Sequence, residues 1–373
     1  VSQSILLKAL ASLALVTLLG GADANVAAQH TRTPNDVARF LAGLPGREGG
    51  PFREREETED WKEHAAAFNA AWTRLVQERL PRMAAFYARE LRGEPVDGAT
   101  VFYPFGGPDA LAVLSLFPVH RNYVLVGLEP AGSMVNVDRI LTHDLGNELA
   151  ALRATLDSVM VRSFFITKQM DSSFRGQVTD GLLPALMVLL ARMNHTITDV
   201  RWVMIEDDGT LRDRKPEERI SGRTGVEITF TTGADPAPRK LRYFSLNLAD
   251  AKLGANQGFL AYARRIGKTM SYFKATSYMT HRPEFSLIRE LTLEISSAVL
   301  QDDSGIPYRY FDPAAWTVQL YGDYTQPYGS FRYLLQKDLR AAYAAPGAAK
   351  PLDFKIGYGF SKAPSNLLFA RKK

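Results

Sequence analysis

The chain has 373 residues, of which 46% are apolar, 10% aromatic and 23% charged, which excludes collagen-like, coiled-coil and largely disordered proteins. A formal charge of +5 over this length is too thin for a nucleic-acid footprint, so no nucleic-acid partner is expected. The absence of cysteine excludes disulfides, thiolate metal sites, iron–sulfur clusters and cysteine nucleophiles.

Residues 1–24 read as a secretory signal peptide. Lys8 supplies the positive charge, residues 9–21 are an apolar run, and Ala22-Asp23-Ala24 offers a cleavage site, with Val26-Ala27-Ala28 as a second one. The run falls short of the roughly 20 residues that a membrane helix needs. The expectation is a secreted or periplasmic bacterial protein with no stable membrane span after signal cleavage.

Residues 29–98 are helical in pattern. Pro34 suits a first helical turn, with Asn35 and Asp36 nearby for capping. Trp61, Phe68, Trp72, Leu75, Leu80 and Met83 recur at three-and-four spacing and describe one apolar face that docks on the following domain. Pro81 should kink or divide this helix.

From residue 99 the pattern changes. Residues 100–105 read as a buried strand, 106–109 as a breaker, 110–117 as an apolar helix and 123–128 as a second buried strand, a unit that normally pairs its strands in parallel. Helices follow at 144–165 and 181–193, then a strand at 200–205 and a hairpin over 226–232 and 240–248. A helix at 259–266, a strand at 271–278, a helix at 284–297 and a strand at 298–300 come next. Strands at 316–321 and 354–360 with a helix at 331–343 between them complete the chain, and Arg371-Lys372-Lys373 reads as a basic tail. The predicted fold for residues 99–373 is an α/β domain. Its Rossmann-like sheet is largely parallel, with helices on both faces, the N-terminal helical addition in front and antiparallel strands added.

The candidate ligand-binding residues are Gly106, Gly107, Asp109 and Glu129. Glycines after a first strand let the backbone turn tightly beside a ligand, and an acid at the end of the second strand can accept ribose hydroxyls. Glu129 follows Gly107 by 22 residues, which suits that geometry. The candidate catalytic residues are Asp302, in an Asp-Asp-Ser-Gly turn after an apolar run, and His281 with Lys274, which place an acid/base pair near one strand end. The six histidines include no H-x-x-x-H or H-E-x-x-H pair, so no metal site is expected.

The unit from residue 100 to residue 129 resembles the opening of Rossmann-like domains, including class I S-adenosylmethionine-dependent methyltransferases. That resemblance implies a loop role for Gly106 and Gly107 and a ribose role for Glu129. The third glycine of G-x-G-x-x-G is absent, and Pro108 occupies the turn. Tyr103-Pro104-Phe105, Gly106-Gly107-Pro108-Asp109, Gly127-Leu128-Glu129-Pro130 and the run from Gln301 to Tyr308 also resemble a family of exported bacterial proteins of unknown function. That second likeness implies no activity and leaves any cofactor unknown.

Ser271-Tyr272-Phe273-Lys274, Ser245-Leu246-Asn247 and Arg223-Thr224-Gly225 approximate the elements of penicillin-binding serine enzymes, but in reversed chain order. The α/β-hydrolase elbow and the P-loop are absent. Three readings follow. The first is an exported α/β protein with a small-polar-ligand crevice at the strand carboxyl ends. The second is a non-catalytic envelope-associated binding protein using Trp61, Trp72 and the tyrosine-rich run from Tyr308 to Tyr333. The third is a methyltransferase-like enzyme if the chain is not exported.

Overall fold

The computed structural model describes residues 32–93, 96–136, 138, 145–157, 160, 181–233, 235–360 and 364–373. The predicted signal peptide, His30 and His143 lie outside these residues. Helices come first, among them α1 (Pro34–Leu41), α2 (Glu59–Glu78) and α3 (Leu80–Phe86). Thr33 and Asp36 form a reciprocal capping box at α1, with Pro34 in its first turn. Asn35 instead accepts from the Ile197 amide, 3.1 Å away. Pro81 enters the first turn of α3, where a missing N–H costs nothing, so it divides two helices as its position predicts.

The sheet begins with β1 (Thr100–Tyr103), followed by α4 (Ala110–Leu116) and β2 (Asn122–Gly127). Next come α5 (Leu145–Asp157), α6 (Leu183–Arg192), β3 (His195–Ile205), β4 (Leu211–Asp213), β5 (Thr224–Thr232) and β6 (Asp235–Ser245). The rest is α7 (Gln257–Arg265), β7 (Thr269–Phe273), α8 (Ser286–Ile295), β8 (Ser296–Gln301), β9 (Trp316–Gly322), α9 (Lys337–Ala344), β10 (Ala349–Lys350) and β11 (Asn366–Lys372).

These strands form one sheet in the order β10-β9-β11-β8-β7-β1-β2-β6-β5-β3-β4. Its centre, β8-β7-β1-β2-β6, is parallel throughout. From β1 the chain moves outward through β2 to β6, then returns to the other side of β1 for β7 and β8. The direction of winding therefore reverses between β1 and β7, and open α/β sheets place their ligand crevice at such a reversal. The hairpin of β5 and β6 extends one edge, while β11 enters antiparallel between β8 and β9 on the other side.

Alternation along the strands builds two faces. Val101 and Tyr103 of β1 join a core with α1 to α6, whereas Phe102 joins a second core with α7 and α8. Trp61 belongs to the first core, and its indole N–H donates to the Phe40 carbonyl at 3.0 Å. Being buried, it offers no partner surface. No helix among the described residues is long and apolar enough to cross a membrane.

Four predicted elements differ. β7 stops at Phe273 rather than running to residue 278, because Ala275, Ser277 and Tyr278 take positive φ values of 52°, 53° and 54°. Residues 354–360 are not a strand, and Gly357–Phe360 is a single tight helical turn. The helix predicted over 331–343 is confined to α9, with a tight turn over Gly329–Leu334 before it. Arg371 and Lys372 belong to β11, which the basic-tail reading missed.

Candidate ligand crevice

The loops after β1, β2, β6 and β7 surround a crevice of about 140 Å³ at the carboxyl ends of the parallel strands. The turn after β1 is unusually constrained. Phe105 takes a φ of 63° and Gly107 a φ of 50°. A β-carbon on Gly106 would fall 2.6 Å from the Tyr103 ring, so only glycine fits there.

The amides of this turn are already committed. Gly106 N–H donates to the Tyr103 carbonyl, Gly107 to Val126, Asp109 to Gly106 and Ala110 to Pro108, at 2.7–3.2 Å. Ala112 N–H donates to the Asp109 carboxylate at 3.2 Å, and Pro108 has no N–H to give. A phosphate cradle needs free backbone donors. This turn, despite its glycines, has none of these five to offer.

Glu129 stands opposite. Its backbone carbonyl accepts from the Tyr243 hydroxyl at 2.6 Å, which fixes the residue at the end of β2. The residue is only 6% exposed, yet among the described residues no hydrogen bond or ion pair reaches its carboxylate. One carboxylate oxygen lies 3.6 Å from where a Gly107 side chain would begin, so the acid faces the diglycine turn as predicted. Its carboxylate oxygens are not among the buried atoms left without a partner, so they open onto the crevice, where a ligand's donors can reach them.

Asp109 and Lys274 also line the crevice, but they neutralise each other in a buried ion pair. Asp109 further accepts from the Tyr103 hydroxyl at 3.0 Å and caps α4. Burial lowers the Lys274 ammonium pKa, against the attraction of Asp109. With this pair closed on itself, Glu129 carries the unbalanced charge. Leu246, Leu248, Met279 and Phe285 supply an apolar side to the crevice.

Asp302 and His281 lie outside the lining. The Asp302 carboxylate accepts from the Ala275 amide at 2.8 Å, and from the Ser304 amide and hydroxyl at 3.0 and 2.5 Å. Burial raises its pKa. Asp303 is pushed up to about 7 by burial and by the Asp302 charge, and it accepts from the Tyr278 hydroxyl and the Asn366 amide. His281 packs edge-on against Tyr278, and burial pushes it down to about 4. The structure thus brings Lys274, Gly106, Gly107, Asp109 and Glu129 to one space and leaves Asp302 and His281 behind its wall. Ser271 is a buried member of β7, bonded to Ser296 Oγ at 2.7 Å, so it does not join Lys274 in a serine-enzyme site.

Sequence reasoning missed Leu246 and Leu248, which follow β6, as lining residues, while Ser277, which it grouped with Lys274 and His281, does line the crevice. The parallel pairing of β6 with β2 was the missing signal, because it brings the end of the hairpin's second strand to the crevice. Among the described residues no three metal-ligating side chains cluster. Neither protein-family models nor curated proteins give a match to this chain.

Proposed function

We propose that this protein binds a small, phosphate-free ligand carrying vicinal hydroxyls, such as the ribose of a nucleoside or a sugar, with Glu129 as the hydroxyl acceptor. The observation that carries this reading is the Glu129 carboxylate, which lines the crevice and has no protein partner among the described residues. Two adjacent hydroxyls would satisfy both of its oxygens, and charge-assisted bonds of this kind are the stronger class. The committed turn amides and the closed Asp109–Lys274 pair disfavour an anionic group, while Leu246, Leu248 and Phe285 suit a flat or apolar moiety.

The apolar run over residues 9–21 supports export, so the ligand would be met outside the cytoplasm. Fractionation of a carboxyl-terminally tagged chain tests this, and full-length material confined to the cytoplasm overturns it. The ligand reading is tested by thermal shift with adenosine, methyl glycosides and, as a phosphate-bearing control, ADP. A ligand at 100 times its Kd stabilises the folded state by about 2.7 kcal/mol. Stabilisation by ADP but not by adenosine or a glycoside would overturn it.

A second reading, methyl transfer from S-adenosylmethionine, draws on the same crevice. That compound carries a ribose diol and a positive charge and has no phosphate, which suits an acid with no cation beside it. Stabilisation by S-adenosylhomocysteine well beyond that by adenosine would favour it.

A further inference from the structure

The wall after β7 is held in a conformation that side-chain-bearing residues seldom adopt. Ala275, Ser277 and Tyr278 all have positive φ, and none is glycine. Such clusters persist only where surrounding structure enforces them, and they concentrate at ligand sites.

The enforcement comes from residues distant in sequence. Ala275 N–H donates to Asp302 at 2.8 Å, Thr276 N–H to Ser304 Oγ at 2.9 Å and Ser277 N–H to the Tyr358 hydroxyl oxygen at 3.0 Å. The Tyr358 hydroxyl in turn donates to the Ala275 carbonyl at 3.0 Å, closing the arc on itself. Gly357, with a φ of 57°, lets this segment approach Asp302, since a side chain there would collide with the Asp302 carboxylate. Three successive amides of the wall are therefore bonded to side chains rather than to backbone. Ala275, Thr276 and Ser277 themselves line the crevice.

We propose that Asp302, Ser304 and Tyr358 are positioning residues that hold residues 275–278 in this left-handed arc and so give the crevice wall its shape. The inference rests on the crevice being the ligand site. It gives the Asp-Asp-Ser-Gly turn a role in shaping that site, reached through Ala275 and Thr276.

The test compares the full chain with its Tyr358→Phe and Asp302→Asn variants, using hydrogen–deuterium exchange over residues 274–279 and calorimetric titration with adenosine. Tyr358→Phe should speed exchange at Ser277 about tenfold, leave β3 and β5 unchanged, and weaken adenosine binding by about the same factor. Adding Ala275→Gly to Tyr358→Phe should recover part of the lost affinity, because glycine enters the left-handed region without steric cost. A general loss of packing would show no such recovery. Unchanged exchange at residues 275–278 in both variants, or no recovery with Ala275→Gly, overturns the inference. If the unaltered chain binds neither adenosine nor a methyl glycoside, the ligand reading falls, and the exchange measurement alone decides whether the clamp exists.

Discussion

Gly127 lies back to back with Gly107: a β-carbon on Gly127 would come within 2.9 Å of the Gly107 α-carbon. The same carbon would meet the Tyr243 hydroxyl at 2.7 Å and a Glu129 oxygen at 2.8 Å. The end of β2 and the turn after β1 thus touch through backbone, and the crevice floor is as thin there as a polypeptide permits. Gly127→Ala should cost about 1–3 kcal/mol, as overpacking does, and displace Glu129. Urea unfolding and adenosine titration on the same variant check both effects.

Glu129→Gln should separate stability from binding. Removing a charge that no protein group balances and that faces the open crevice should leave the stability of the fold within about 0.5 kcal/mol. Loss of the charged acceptor should weaken a diol ligand roughly 10- to 100-fold. A variant that is less stable and binds adenosine normally would contradict the assignment of Glu129.

The Asp109–Lys274 pair should behave in the opposite way. Lys274→Met leaves a buried carboxylate facing the space of the lost ammonium and should cost about 3–5 kcal/mol. Combining it with Asp109→Asn should restore a large share of this, because the two positions are coupled. Chemical denaturation of the two single variants and the double one measures that coupling directly.

Acid should unfold the protein partly through His64. Its Nε2 lies 2.9 Å from the Leu41 carbonyl and its Nδ1 3.0 Å from the Arg153 guanidinium, so the ring is held neutral with Nδ1 accepting. Burial, aided by Arg153, lowers its pKa from 6.5 to about 4. Between those values the unfolded chain binds the proton and the folded one does not, so stability falls as pH drops from 6.5 toward 4. Asp303 acts in the other sense, because its raised pKa favours the folded state at low pH and that advantage fades as pH rises from 3.8 to about 7. His64→Gln should therefore flatten the stability profile between pH 6.5 and 4 by up to about 1.4 kcal/mol per pH unit. Urea midpoints measured across that range decide it.

The parallel centre of the sheet was legible because β1, α4 and β2 follow one another with sharp breakers, and because Glu129 sits where its spacing from Gly107 demands. The fate of residues 271–278 was not legible. Tyr272 and Phe273 continue a strand pattern, and nothing local shows that Asp302 and Tyr358 bend the chain back at Ala275. Residues 354–360 alternate apolar and polar as a strand would, yet Gly357 turns them onto Asp302. β11 was hidden for a related reason. Its pairing partners, β8 and β9, precede it by dozens of residues, and its charged end gives the composition of a free tail. Contacts between distant segments, unlike periodicity, leave no mark in a local window.

Because β11 is the latest described strand in chain order and yet lies inside the sheet, synthesis delivers it after both of its neighbours. Until residues 366–372 emerge, β8 and β9 each keep a row of unanswered N–H and C=O groups, and the slot between them stands open. A chain made from its amino terminus therefore cannot lock this side of the sheet early. It stays threadable for longer, and until then those two bare edges remain open to pairing with another copy.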